Sequence, residues 1–398
     1  MLLGYRPPPG PPPGALRARP ARSREGYSRL MQIAHPSPVK PGSRPYANGV
    51  EPMLNGSSAM PPLATERAWC REALLRVSRT FALNIRCLSG RMLESVRLAY
   101  LLCRAADALE DSWPGPPAEM AARFDALVGA LEGDDAAAMV LASGARALHG
   151  RADAALLVRL PALLRVLGSL DERDAADIRG CVRTMALGMK RFATRAAGRG
   201  NTVPYIDDDA ELHEYCYVVA GCVGEMLTRL LGHGLAGDDA ALAARRLALA
   251  PVVGEALQLT NILLDWPVDI RAGRCHVPAS WLARFGLTPR GLLGRSDTAR
   301  ELSLRLAALA NDALNRVPDY LDTVPTREHR YRLFCLLPAL WARASLRLAM
   351  SEPEFQSLPR RPRLSRASVM SEALVGLVAH GSHGATRQAL GVSAGVEF

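Results

Sequence analysis

Gly254-Glu-Ala-Leu-Gln-Leu-Thr-Asn-Ile-Leu-Leu-Asp265 runs on through Trp266, Pro267 and Val268 to Asp269. Its polar members Gln258, Asn261, Asp265 and Asp269 follow at offsets of 3, 7 and 11. At about 100° per residue these offsets put all four on one helix face. Leu257, Leu263 and Leu264 point elsewhere. Two amides and two carboxylates in an otherwise apolar helix need partners, because an unpaired buried polar group is costly. Hard oxygens of this kind suit magnesium, with phosphate oxygens and water completing the shell. Pro267 lacks an N–H and disfavours helical geometry at Trp266, so the helix is expected to kink or end there and to displace Asp269. The basic turn Gly273-Arg274-Cys275-His276-Val277-Pro278 follows, with Arg274 either clamping a phosphate or solvated.

A second segment upstream has the same character. Tyr100, Arg104, Asp107 and Asp111 are offset by 4, 7 and 11 residues, with Glu110 on the flank. They lie within roughly 60° of one another on a helix. Like charges one turn apart repel, and a divalent cation would relieve that repulsion. A solvated acidic helix end is the competing reading, although acids favour the other end of a helix. Between the two segments lies Tyr215-Cys-Tyr-Val-Val-Ala-Gly221-Cys-Val-Gly224. Its glycines cost helix stability and permit close helix packing, a kink or a long apolar ligand.

From about Thr65 to Leu377 the chain reads as successive helices, with breaks at 113–117, 198–209, 232–238, 273–278 and 353–362. No alternating strand pattern and no fixed repeat interrupt them. Residues 1–62 are rich in Pro, Gly, Ser and Arg and are expected to be a disordered tail. A helical domain is expected over 63–377 and a loose C-terminal tail over 378–398. The net charge of +10 resides mostly in residues 1–50, which carry seven Arg, one Lys and the single acid Glu25. A solvated basic tail explains this better than a nucleic-acid partner. The eight cysteines form no CxxC pair and read as reduced core residues of a cytoplasmic protein. No uncharged apolar run of 18 residues is present.

Taken together these segments resemble the squalene/phytoene synthase family. Ser78-Arg79-Thr80-Phe81 matches its opening motif. Tyr100, Arg104, Asp107, Glu110 and Asp111 match its first aspartate-rich motif. Tyr215–Gly224 and Leu257–Asp265, with Gly273, Arg274 and Pro278, match the later signatures. Val268, Leu264 and His276 depart from the family pattern, where Glu, Arg and an aromatic residue are usual.

The resemblance implies an all-α fold, a single helical bundle of the isoprenoid synthase type around a central apolar cavity. It implies Mg2+ held by Asp107, Glu110, Asp111, Asp265 and Asp269. Arg79, Arg104, Gln258, Asn261 and Arg274 would bind substrate diphosphate. Tyr100, Tyr215 and Phe81 would steer a carbocation. The implied reaction is head-to-head condensation of two prenyl diphosphates. Farnesyl diphosphate giving presqualene diphosphate and squalene, with NADPH as reductant, is preferred to geranylgeranyl diphosphate giving phytoene. A non-catalytic relative acting as a binding or assembly protein is a further alternative. Product release implies peripheral association with the inner membrane face.

Overall fold

Ser78 shows how the chain punctuates its helices: its hydroxyl accepts from the Phe81 N–H at 3.2 Å and starts a new helix directly after the last. Asp134, Asp208, Asp239, Thr288, Ser365 and Ser382 cap later helices in the same way. The structure, a computed structural model, describes residues 62–392 except 112, 114–115, 149–151, 200–203 and 353, and leaves the side chains of Arg79, Asp111 and 197–199 undescribed. The expected N-terminal tail therefore lies outside the described residues, apart from Pro62.

Every regular element among the described residues is helical. The first group is α1 (Leu63–Val77), α2 (Arg79–Ile85), α3 (Gly90–Asp111), α4 (Pro117–Leu131), α5 (Asp135–Ala145), α6 (Ala154–Val158), α7 (Leu160–Gly168) and α8 (Glu172–Arg199). Then come α9 (Asp209–Cys216), a π-helical turn (Tyr217–Gly221), α10 (Cys222–Gly232), α11 (Ala240–Arg271), α12 (Ala279–Ala283) and α13 (Pro289–Leu292). The last are α14 (Ser296–Asn315), α15 (Val317–Asp322), α16 (His329–Ser351), a 3-10 turn (Phe355–Ser357), α17 (Arg366–Ala379) and α18 (His383–Ala389). All five expected breaks fall between helices.

The long helix α11 packs along α14, α10, the π turn and α16, while α3 packs on α8, α1 and α6. Glycines set the closest approach. A Cβ on Gly254 would sit 2.2 Å from the Ala220 carbonyl oxygen, and one on Gly224 would sit 2.2 Å from that of Ala250. The backbones of α11 and of the π turn with α10 therefore touch, which only glycine allows at these positions. α11 and α16 are long and apolar enough to cross a membrane, but much of each is buried within the bundle. Seven of the eight cysteines are buried.

Two sequence expectations are corrected here. α11 does not end at Pro267; it continues to Arg271. Trp266 and Ile270 on either side are almost fully buried, and the Trp266 indole N–H donates to Ser303 Oγ on α14 at 3.1 Å. A helix-interior proline costs about 3 kcal/mol, whereas burying two large side chains returns about 1.5–3 kcal/mol each, so packing prevails. The C-terminal region is also not loose through residue 389. Arg387 of α18 pairs with Asp319 and Asp322 of α15 at 2.6 Å each, and Thr386 is fully buried.

Candidate active site

The polar rim of the site begins on α3. Tyr100, Arg104 and Asp107 are all buried. Arg104 Nη2 pairs with Asp153 Oδ2 at 2.7 Å and Nη1 approaches Asp107 Oδ2 at 3.6 Å. Burial works against the charge on Arg104, but Asp153, Tyr100 and Asp107 more than offset it and its pKa is raised. Asp153 carries no spacing signal in the sequence, because it comes from the loop before α6. Glu110 is half-buried on the same helix. The side chains of Asp111 and Arg79 lie outside the described residues.

The Tyr100 ring stacks on Phe81 with centroids 5.7 Å apart. Burial raises the Tyr100 phenol above its ordinary range, against the lowering influence of Arg104 and Ser78. It is therefore a neutral phenol at physiological pH.

On α11, Asn261, Asp265 and Asp269 are buried and share one face, as their spacing requires. Arg361, from the segment before α17, donates through Nη1 to Asp265 Oδ2 at 3.1 Å and through Nη2 to Asn261 Oδ1 at 3.3 Å. Arg271 anchors that segment by donating to the carbonyls of Gln356 at 2.6 Å and Leu358 at 2.8 Å. Asp269 is held as firmly as Asp265. Arg274 Nη2 donates to its Oδ1 at 3.2 Å, and the Arg274 N–H closes on the Asp269 carbonyl at 2.8 Å. Arg274 is buried rather than solvated.

His276 stands 3.7 Å from Asp269 Oδ2. Complete burial lowers its pKa to about 3, so the ring is neutral and this is not an ion pair. It stacks on Tyr215 at 5.2 Å, and Tyr215 meets Phe192 edge-on at 5.2 Å. His276 thus fills the place of an aromatic ring.

Between the two helices lies an apolar cavity, of the concave, mostly apolar kind that takes small molecules. α3 and α11 are not close-packed neighbours, yet both line it. Tyr100 and Cys103 line it from α3, Gly254 and Leu257 from α11, and Phe81 from α2. Asp107 follows Tyr100 by seven residues and Asp265 follows Leu257 by eight, so each carboxylate stands about 11 Å farther along its helix. Gln258 sits next to Leu257, and its Oε1 is buried without a hydrogen-bond partner among the described residues. Tyr215 is not part of the cavity lining. Its ring packs on Phe192 and His276.

The donor set fits magnesium: carboxylate oxygens on two helices and an orphaned amide oxygen are hard ligands. A second set of potential ligands, Asp171, Asp174 and His233, lies on the far side of α3. There Asp174 is already engaged by Arg91, by Ser95 at 2.5 Å and by His233 at 2.9 Å, so it fastens α3 to α8 and α10.

The sequence profile of the family described as squalene/phytoene synthase matches residues 74–368. Human squalene synthase is 27% identical over 304 residues, 75% of this chain; the match spans 66% of the human protein's length. The 15-cis-phytoene synthase of Enterobacter agglomerans is 35% identical over 145 residues, 36% of this chain and 41% of its own. A solved structure of TcSQS with a ligand superposes with a TM-score of 0.68 at 23% identity, covering 82% of this chain and 89% of that one. At that identity the likeness speaks for the fold.

Proposed function

Because this chain belongs to the squalene/phytoene synthase family, we propose that it joins two prenyl diphosphates head to head, with farnesyl diphosphate as substrate. The observation that carries the reading is the pairing of two buried acidic helices with one apolar cavity. Diphosphates would sit at the rim and hydrocarbon chains in the cavity. The preference for farnesyl diphosphate rests on coverage: the squalene synthase match extends over twice as much of this chain as the phytoene synthase match.

Asp107, Asp265 and Asp269, with Glu110, Asp111 and Gln258, would hold magnesium. Bound magnesium withdraws charge from a leaving diphosphate. Arg104, Arg274 and Arg361 are the cationic groups already at these carboxylates, and guanidinium groups donate readily to phosphate oxygens. Phe81 and Tyr100 present stacked ring faces to the cavity, which attract a carbocation without reacting with it. With its phenol kept protonated, Tyr100 does not offer a phenolate to trap that cation. Tyr215 and His276 act by position, bracing the turn that carries Arg274. The apolar wall excludes water, which would divert the cation to an alcohol.

The reading is tested by supplying farnesyl and geranylgeranyl diphosphate in competition, with magnesium, and weighing the products with and without NADPH. Coupled thirty-carbon products, reduced only when NADPH is present, are expected. Coupled forty-carbon products would instead make it a phytoene-type enzyme.

A further inference from the structure

Helix α17 buries one side and leaves the other bare. Gly376 faces α16 so closely that a Cβ there would meet Leu337 at 2.7 Å. On the opposite side Met370, Leu374, Leu377 and Val378 are 59%, 60%, 53% and 85% exposed. At about 100° per residue these four fall within about 100° of arc, a continuous apolar stripe. It carries no aromatic ring and no hydrogen-bonding group, unlike the centre of most protein interfaces, which is enriched in aromatic residues and Arg.

The charge beside the stripe is of one sign. Between Glu354 and Glu372 the chain holds Arg360, Arg361, Arg363 and Arg366 and no acid. Arg360 and Arg366 are exposed. Glu372, on the far flank, is taken up by Arg347 at 3.1 Å. An apolar helix face with an arginine flank is the pattern of a helix lying in the plane of an anionic membrane surface. Residues 1–50, with a net charge of +7, are electrostatically ill-suited to cover it.

We propose that α17 docks this protein onto a bilayer bearing anionic lipid, through Met370, Leu374, Leu377 and Val378 with Arg360 and Arg366 at the headgroups. The helix beneath it, α16, lines the cavity with Phe334, Cys335 and Pro338. Docking would therefore place the cavity one helix thickness from the lipid. The relevance to prenyl chains rests on the function proposed above; the surface itself does not.

Flotation of the full chain with phosphatidylcholine vesicles, with and without phosphatidylglycerol, tests this. The chain should float with the anionic vesicles. Leu374→Asp with Val378→Asp should lower the bound fraction at least tenfold at an unchanged melting temperature. Arg360→Glu with Arg366→Glu, which keeps the stripe intact, should weaken binding to anionic vesicles only. Absence of flotation, or equal flotation of all variants, would overturn the proposal. So would a change of oligomeric mass in the Leu374/Val378 variant with flotation unchanged, which would assign the stripe to a second copy of the chain. Flotation by a protein that releases no diphosphate would refute the prenyl reading and leave the surface standing.

Discussion

The two acidic helices carry nearly the same spacing of polar residues but are neutralised in different ways. On α3 the cation is local: Arg104 lies one turn before Asp107, and a neighbouring loop adds Asp153. On α11 both cations come from outside the helix. Arg274 arrives from the turn that follows it and Arg361 from nearly a hundred residues downstream. The rim on the α3 side is thus built largely with its helix, while the rim on the α11 side is completed by Arg361 from a distant segment. The repulsion expected among clustered carboxylates is in both places relieved by guanidinium groups.

If the two helices serve one reaction, removing either set of carboxylates should be equally severe. Asp107→Ala and Asp265→Ala are each expected to lower diphosphate release by at least about 10³-fold, the scale of losing one electrostatic group at a reacting centre. Near-normal turnover in either variant would separate the helices functionally. Within α11, continuity through Pro267 removes any reason for a graded response. Asp269→Asn should lose about 10²-fold or more, comparable to Asp265→Asn, in a magnesium titration. Rescue of Asp269→Asn alone by excess magnesium would show that it is the looser ligand.

Stability should also distinguish the two sides. Arg104→Leu removes the buried cation that Asp107 and Asp153 share, and should cost about 3 kcal/mol in urea unfolding, as for a broken buried pair. Arg361→Leu should cost less, about 1–2 kcal/mol, because Asn261 stays beside Asp265 and the segment lies at the surface. The reverse order would mean that the crossing segment, not α3, organises the rim.

The smallest effect concerns the far side of α3. Asp174 keeps its charge despite burial because His233, Ser95 and Arg91 hold its pKa below the ordinary value near 3.8. The unfolded chain binds the proton more readily, so this stabilisation is complete above about pH 4 and is lost as pH falls through the lower folded value. Asp174→Asn should cost about 1–2 kcal/mol at neutral pH and flatten the acid limb of the stability curve. An unaltered acid limb would remove Asp174 from the fastening of α3.

Much of this was legible in the sequence because it is periodic. Offsets of 4, 7 and 11 residues on α3 and of 3, 7 and 11 on α11 identify the faces of the two acidic helices, and the Gly/Pro breaks mark where helices end. Arg361 and Asp153 were not legible: nothing local ties an arginine in a Pro/Arg-rich stretch, or an aspartate before a short helix, to an active site. Pro267 was misleading for the complementary reason. Its local cost is real, but the burial of Trp266 and Ile270 that outweighs it depends on α14, some forty residues away. Tyr215 shows the same limit, since its motif gives its helix but not the His276 ring that stacks on it.

The central claim is that two acidic helices act together on one apolar cavity to couple two prenyl chains. It is tested most directly by incubating the full chain with farnesyl diphosphate and magnesium without NADPH, and measuring diphosphate released against the mass of the product. The account predicts a thirty-carbon cyclopropyl diphosphate, with one diphosphate released for every two substrates consumed, and loss of both signals in Asp107→Ala and in Asp265→Ala. Release of diphosphate with only fifteen-carbon alcohol as product would contradict it.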